Sequence, residues 1–197
     1  MERIAMVTAA SAEPVALAAV DPSLEFSPVQ TEGRYVGEST RLVRSRPLGG
    51  GNGYWVMTYL EFDPTSGVWV NRGWLAATQD ASTSIAPPAP PNGTVMILGH
   101  TRAFEESGPV PGDLPAGQVT RVSLNQLPAI SGAVSDFWVQ SASAEDGLTN
   151  VPLPEVDEGR NISYAMQWLL FAVVAIGGWF VFLRREARTE NQSETPN

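Results

Sequence analysis

There is no cysteine in this chain of 197 residues, no lysine, and a single histidine. The first absence removes disulfides, thiolate metal sites and a cysteine nucleophile. The lone histidine leaves one copy of the chain unable to build a multi-histidine metal site. Without lysine, all 12 cationic side chains are arginine, a usage that fits the codon bias of a GC-rich genome better than a chemical demand. Cations are scarce altogether. Residues 1–160 hold 18 acids against nine arginines, a sum of −9, while the tail from Arg184 balances three against three. Such an acidic body lacks the basic footprint of a nucleic-acid binder. Catalytic patterns are scarce as well. No Gly-x-Ser-x-Gly elbow offers a serine for His100 to serve. "GGGNG" (Gly49–Gly53) has neither the Lys-Ser/Thr nor the helix of a phosphate loop. The neighbouring carboxylates Glu105 with Glu106 and Glu145 with Asp146 lie in polar loops, where solvation explains them. The expectation is a protein that is not an enzyme.

What the chain does have is turns and alternation. Its 18 Gly and 16 Pro punctuate short apolar runs. "GYWVMTYLEF" sets Tyr54, Val56, Thr58, Leu60 and Phe62 on one face and Trp55, Met57 and Tyr59 on the other. After "DPTSG", "VWVNRGWL" alternates Val68, Val70, Arg72 and Trp74 against Trp69, Asn71 and Leu75. Two such runs joined by a short turn predict a hairpin. Val29–Val36, Thr40–Arg46, Thr94–Phe104, Val119–Leu124 and Asp136–Ser143 complete seven predicted strands. That spacing predicts a mostly β domain, an antiparallel sandwich or open barrel, over residues 24–151. "APPAPPNG" (Ala86–Gly93) predicts an extended polyproline stretch on the surface.

A polar linker, 152–160, leads from this domain to the longest uncharged run, Ile162–Leu183, 22 residues. A bilayer takes about 20 mostly apolar residues at 1.5 Å each, so 161–185 is expected to be a transmembrane helix. Arg184, Arg185 and Arg188 follow it, and positive charge stays cytoplasmic. The β domain is therefore expected outside the cytoplasm, with 186–197 as a cytoplasmic tail and Trp168 and Trp179 near the interfaces. Export of such a domain needs a leading signal. "MERIAMVTAASAEPV" is too polar and broken to be one, so residues 1–23 are expected to follow a membrane helix upstream of Met1.

"VQTEGRYVGE", "GYWVMTYLEF…GVWVNRGWLAA", "GTVMILGHTR" and "YAMQWLLFA", in this order, resemble the surfeit-locus-one family of cytochrome c oxidase assembly factors. The resemblance runs from about Phe26 to Arg185, and "VNRGW" (Val70–Trp74) with Tyr164, Ala165 and Trp168 are its most specific parts. It implies a two-helix protein of the bacterial cell membrane that helps mature subunit I of a haem-copper oxidase and handles haem a. Oxidase subunits, other assembly factors and membrane lipids are the implied partners. Bacterial members are expected to carry an iron-ligating His three residues before Tyr164. Here that position is Asn161, and an amide is a poor iron ligand. The resemblance implies haem a as the cofactor, and Asn161 argues against it.

Asn161, Tyr164 and Trp168 fall on one helical face and form the candidate haem stripe, with Gln167 a candidate partner contact because amides at membrane depth need a partner. Among cations, Arg44 and Arg46 share a strand face and suit an acidic partner. Arg72 and Trp74 are further partner candidates. The ordinary alternative for Arg72 is a carboxylate pair with stacking on Trp69 or Trp74. Two functions remain: an assembly factor for haem-copper oxidase, or a stable accessory subunit of the complex without haem handling.

Overall fold

The computed structural model describes residues 13–77, 85–153 and 158–193. The expectations for residues 1–12, for 154–157 of the linker and for the last four residues lie outside these. The chain divides into two units, Met1–Pro154 and Glu155–Asn197.

In the first unit the strands are β1 (Val15–Ala16), β2 (Pro28–Val43), β3 (Gly53–Asp63), β4 (Ser66–Ala76), β5 (Thr94–Ala103), β6 (Gln118–Val119) and β7 (Ala133–Ser141). Five long strands pair in the cycle β2-β3-β4-β7-β5 and back to β2. The hairpin predicted across "DPTSG" is present as β3–β4. The sheet is otherwise not the one expected. β4 and β7 run parallel, so it is mixed and not antiparallel, and because β2 pairs with both β3 and β5 it closes into a barrel. A closed barrel removes the unpaired edges that an open one leaves. The connectivity is that of the five-stranded Greek-key barrel called the OB-fold, which by itself assigns no activity.

Closure depends on one long strand where alternation suggested two. The predicted strands Val29–Val36 and Thr40–Arg46 are one 16-residue β2. Its first half pairs with β5, its second with β3, and Arg34 faces both Thr94 and Glu61. At this handover β2 crosses β3 so closely that a Cβ on Gly33 would stand 2.4 Å from the Glu61 carbonyl oxygen and 3.0 Å from Leu60 Cγ. Only glycine fits there. Between Val36 and Arg41 the register shifts. The Ser39 hydroxyl fills the break, donating to the Val36 carbonyl at 2.6 Å and accepting from Tyr59 N–H at 2.8 Å. Val119–Leu124 shrinks to the two-residue β6, paired with β2.

Both faces of the strands are apolar because both are covered. Val29, Tyr35, Leu60, Val68, Val70, Ile97, Phe137 and Val139 pack on one side. On the other, Met57, Tyr59, Trp69 and Trp138 lie under Val119, Val122 and Leu127 of the β5–β7 connection. Burial of that second face accounts for the apolar residues at alternate positions in "GYWVMTYLEF".

The β3–β4 turn is held by Asp63, whose Oδ1 accepts from Thr65 N–H at 2.6 Å and from the Thr65 hydroxyl at 2.8 Å. The backbone donor first, then the hydroxyl, hold this carboxyl below its ordinary 3.8. The folded state therefore binds the Asp63 proton more weakly than the unfolded chain does. The stability Asp63 adds is present above 3.8 and fades as pH falls through the lower folded value. Asp63→Asn is expected to flatten the acid limb of a urea-midpoint-against-pH curve in that window, with little change in the alkaline limb.

The second unit is one helix, α1 (Glu158–Ser193). It begins three residues before the expected 161 and takes in the end of the predicted linker. Its transmembrane assignment is not supported by the helix itself: among the described residues, no helix is long and apolar enough to cross a membrane. Between 166 and 182, Gln167, Trp168, Gly177, Gly178 and Trp179 dilute the apolar side chains. Every one of those side chains is exposed.

Candidate functional site

The "NRGW" segment of β4 organises one end of the barrel. Alternation sends Arg72 to the same side as Val68 and Val70, where it is 1% exposed. Its Nε donates to Glu145 Oε2 at 2.7 Å, and Nη2 lies 2.6 Å from the same oxygen. Nη1 donates to the Pro88 carbonyl at 3.0 Å and Nη2 to the Ala89 carbonyl at 3.1 Å. The guanidinium stands 5.5 Å from the Tyr35 ring centroid. Arg72 thus ties the polyproline segment and the 143–149 loop to β4. The expected carboxylate pair is present. The expected ring is not Trp69 or Trp74 but Tyr35, because Trp69 alternates to the opposite face.

The residues around Arg72 complete the end. Asn71 Oδ1 accepts from Gly73 N–H at 3.0 Å. Trp74 exchanges two 2.8 Å backbone hydrogen bonds with Thr149, and its indole donates to the Arg46 carbonyl at 2.6 Å. Trp74 is buried, so "VNRGW" holds loops together rather than presenting side chains to solvent.

Burial, then the Glu145 charge, hold the Tyr35 hydroxyl well above the ordinary value of 10.0, with Arg72 opposing. Since the unfolded chain ionises Tyr35 first, the stability it contributes is complete below pH 10 and is lost as pH rises toward the folded value. Tyr35→Phe is expected to change the unfolding free energy at neutral pH by no more than about 1 kcal/mol and to flatten the alkaline limb of the urea-midpoint-against-pH curve.

Arg44 and Arg46 do not share a strand face. β2 ends at Val43, and Ser45 has φ 58°, which breaks extended alternation. Arg46 is held internally: Nη2 reaches Glu105 Oε1 at 2.6 Å and Oε2 at 2.9 Å, and the guanidinium lies 4.3 Å over Trp55. Glu105 also accepts from Val122 N–H at 3.0 Å, fastening the β5–β7 connection. Arg44 is half-buried, its N–H donating to the Val119 carbonyl at 2.9 Å. Glu105 and Glu145 are therefore the partners of Arg46 and Arg72, and not the merely solvated loop carboxylates that the sequence predicts. Arg102 was not anticipated at all: it bonds Gln140 at 2.8 Å and lies 4.6 Å from the Phe26 ring. Pairings at separations of 38 to 77 residues leave no local trace in a sequence.

On α1, Tyr164 and Trp168 are 60% and 71% exposed, and Gln167 is exposed as well. Four residues apart on a helix, Tyr164 and Trp168 share a face, as expected. The Trp168 ring meets Phe171 edge-on at 6.2 Å. The side chain of Asn161 lies outside the described residues. Among the described residues no group of His, Cys, Asp and Glu is arranged to hold a metal ion.

A family model described as the SURF1 family matches residues 2–173, 172 of the 197. The chain belongs to the SURF1 family. The match spans the barrel and enters α1, so the "NRGW" end and the Tyr164–Trp168 turn both lie within it. The family is associated with cytochrome oxidase assembly. This SURF1 family member is 28% identical to uncharacterised SURF1-like proteins of Mycobacterium bovis and Mycobacterium tuberculosis. Each alignment covers 89% of this chain and 67% of the relative.

Proposed function

We propose that this chain is a membrane-associated, non-enzymatic assembly factor that assists maturation of subunit I of a haem-copper oxidase. The observation that carries the reading is the exposed apolar stretch Met166–Phe182 inside a SURF1 family chain. A helix that exposes this many large apolar side chains is stable only when they are covered, and in water they would be an aggregation site. Lipid and an intramembrane protein surface are the coverings that suit it. The barrel would stand on the extracytoplasmic side of the bacterial cell membrane, with the arginines after Leu183 cytoplasmic. The polar first turns, with Tyr164, Gln167 and Trp168, would meet oxidase helices, since a buried amide facing lipid is costly.

The stripe does not fit ligation of haem a. Of its residues, Tyr164 offers a lone exposed phenol, Asn161 an amide and Trp168 no lone pair suited to iron. The single histidine, His100, belongs to β5. No step here runs through haem. An absorption spectrum of protein co-expressed with haem a synthesis enzymes tests this: no haem band is expected, and stoichiometric haem would overturn it.

Deletion of the gene tests the function. Assembled oxidase and its haem a signal are expected to fall in deletion membranes and to return with the full chain, but not with a chain lacking α1. A normal oxidase spectrum after deletion contradicts the proposal. Recovery of the protein at fixed stoichiometry with mature, active oxidase would instead favour an accessory subunit.

A further inference from the structure

The chain contains two Asn-Gly pairs, Asn52–Gly53 and Asn92–Gly93, and the fold treats them oppositely. We propose that Asn92 is a site of spontaneous deamidation, and that Asn52, which has the same following glycine, is protected by the barrel.

The reaction begins when the backbone nitrogen of the following residue, having lost its proton, attacks the asparagine side-chain carbon. The new N–Cγ bond closes a five-membered imide, the Cγ–Nδ2 bond breaks, and ammonia leaves. Water then opens the imide at one of its two C–N bonds. The product is aspartate, or isoaspartate, in which the backbone runs through the side chain and is one methylene longer. Water is the only co-reactant. The step needs a following residue without a Cβ to block the approach, a free N–H, and a backbone able to rotate.

Asn92–Gly93 meets all three. Both residues are exposed and lie ahead of β5, outside any strand. Gly93 has φ +83°, with nothing within 4 Å of where a Cβ would stand. Among the described hydrogen bonds, none holds the Asn92 side chain or the Gly93 N–H.

Asn52–Gly53 fails the last two. Gly53 is buried in β3, paired with Ala76. Its N–H donates to Asn52 Oδ1 at 3.0 Å, so the proton that the attack must shed is held in a hydrogen bond. The Asn52 carbonyl accepts from Ala77 N–H, and the Gly53 carbonyl from Arg46 N–H, both at 3.0 Å. Closing the imide would break this set.

Conversion has a consequence for the barrel. Position 92 lies two residues before Thr94, whose partner Arg34 is the residue at which β2 passes from β5 to β3. Deamidation adds a negative charge to a chain already at −9, and the isoaspartyl form lengthens the backbone just ahead of that ladder.

The test is peptide mass mapping of the full-length protein during incubation in mildly alkaline buffer. Position 92 is expected to convert at least ~10 times faster than position 52, a gap of about 1.4 kcal/mol in barrier. Unfolding in urea should close most of that gap by accelerating position 52, and Gly93→Ala should slow position 92 by a similar factor. Equal rates at the two positions in the folded protein, or no conversion at position 92, overturn the proposal. The urea comparison needs no variant, so it decides the matter even if Gly93→Ala folds poorly.

Discussion

Replacement of Arg72 by alanine is expected to cost about 3 kcal/mol or more, measured as a fall in the urea midpoint by tryptophan fluorescence. Removing one partner of a buried ion pair costs about 3–5 kcal/mol because the other charge stays behind uncompensated. Here the remaining partner, Glu145, is 19% exposed and water can reach it, which places Arg72→Ala toward the lower end. The carbonyls of Pro88 and Ala89 also lose their donors. Glu145→Ala should cost at least as much, since it strands a guanidinium only 1% exposed. Arg72→Lys should rescue little, because one ammonium cannot reproduce a planar fork serving a carboxylate and two carbonyls. The double variant Arg72→Ala with Glu145→Ala should cost less than the two single losses combined, since it leaves no charge unpaired. Additive losses would mean that the two residues do not act together.

Gly73→Ala is the second large effect. Gly73 has φ +146°, and an added Cβ would lie 2.8 Å from Leu148 Cβ, 3.1 Å from the Thr149 carbonyl oxygen and 3.2 Å from Ala144 Cβ. The backbone strain costs about 1–3 kcal/mol, and forcing a methyl into packed surroundings adds about 1–3 kcal/mol. The neighbours are two loop side chains and a carbonyl already bonded to Trp74, so relief would have to come from moving the 143–149 loop. Gly50→Ala is the control. Its φ is +83° with open space around it, leaving only the backbone part, about 1–2 kcal/mol. If the two substitutions cost the same, the close approach of the 143–149 loop to β4 is not what the residue is for.

Alternation made much of the barrel legible, and it did so strand by strand. The β3–β4 hairpin and the burial of Val68 and Val70 on the side opposite Trp69 could be read directly from period two. Closure could not, because it rests on Gly33, whose significance is the 2.4 Å proximity to Glu61, a residue 28 positions away. Nor could the parallel β4–β7 pairing, since alternation carries no strand direction. The site followed the same division. That Arg72 needed a carboxylate was inferable from a charge set among Val, Trp and Gly. Which carboxylate it was, and that Tyr35 rather than a neighbouring indole would lie against it, depended on contacts 37 and 73 residues away. Arg46 misled for another reason: the left-handed Ser45 ended the strand geometry that the shared face with Arg44 assumed.

In the proposed function, a barrel braced at its "NRGW" end is carried to immature oxidase by a helix whose polar opening turns meet another intramembrane surface. A photoreactive amino acid in place of Gln167, irradiated in membranes of cells assembling the oxidase, addresses this directly. A covalent adduct to oxidase subunit I, abundant during assembly and lost in mature complexes, is the expected product. Adducts to lipid alone would contradict the claim.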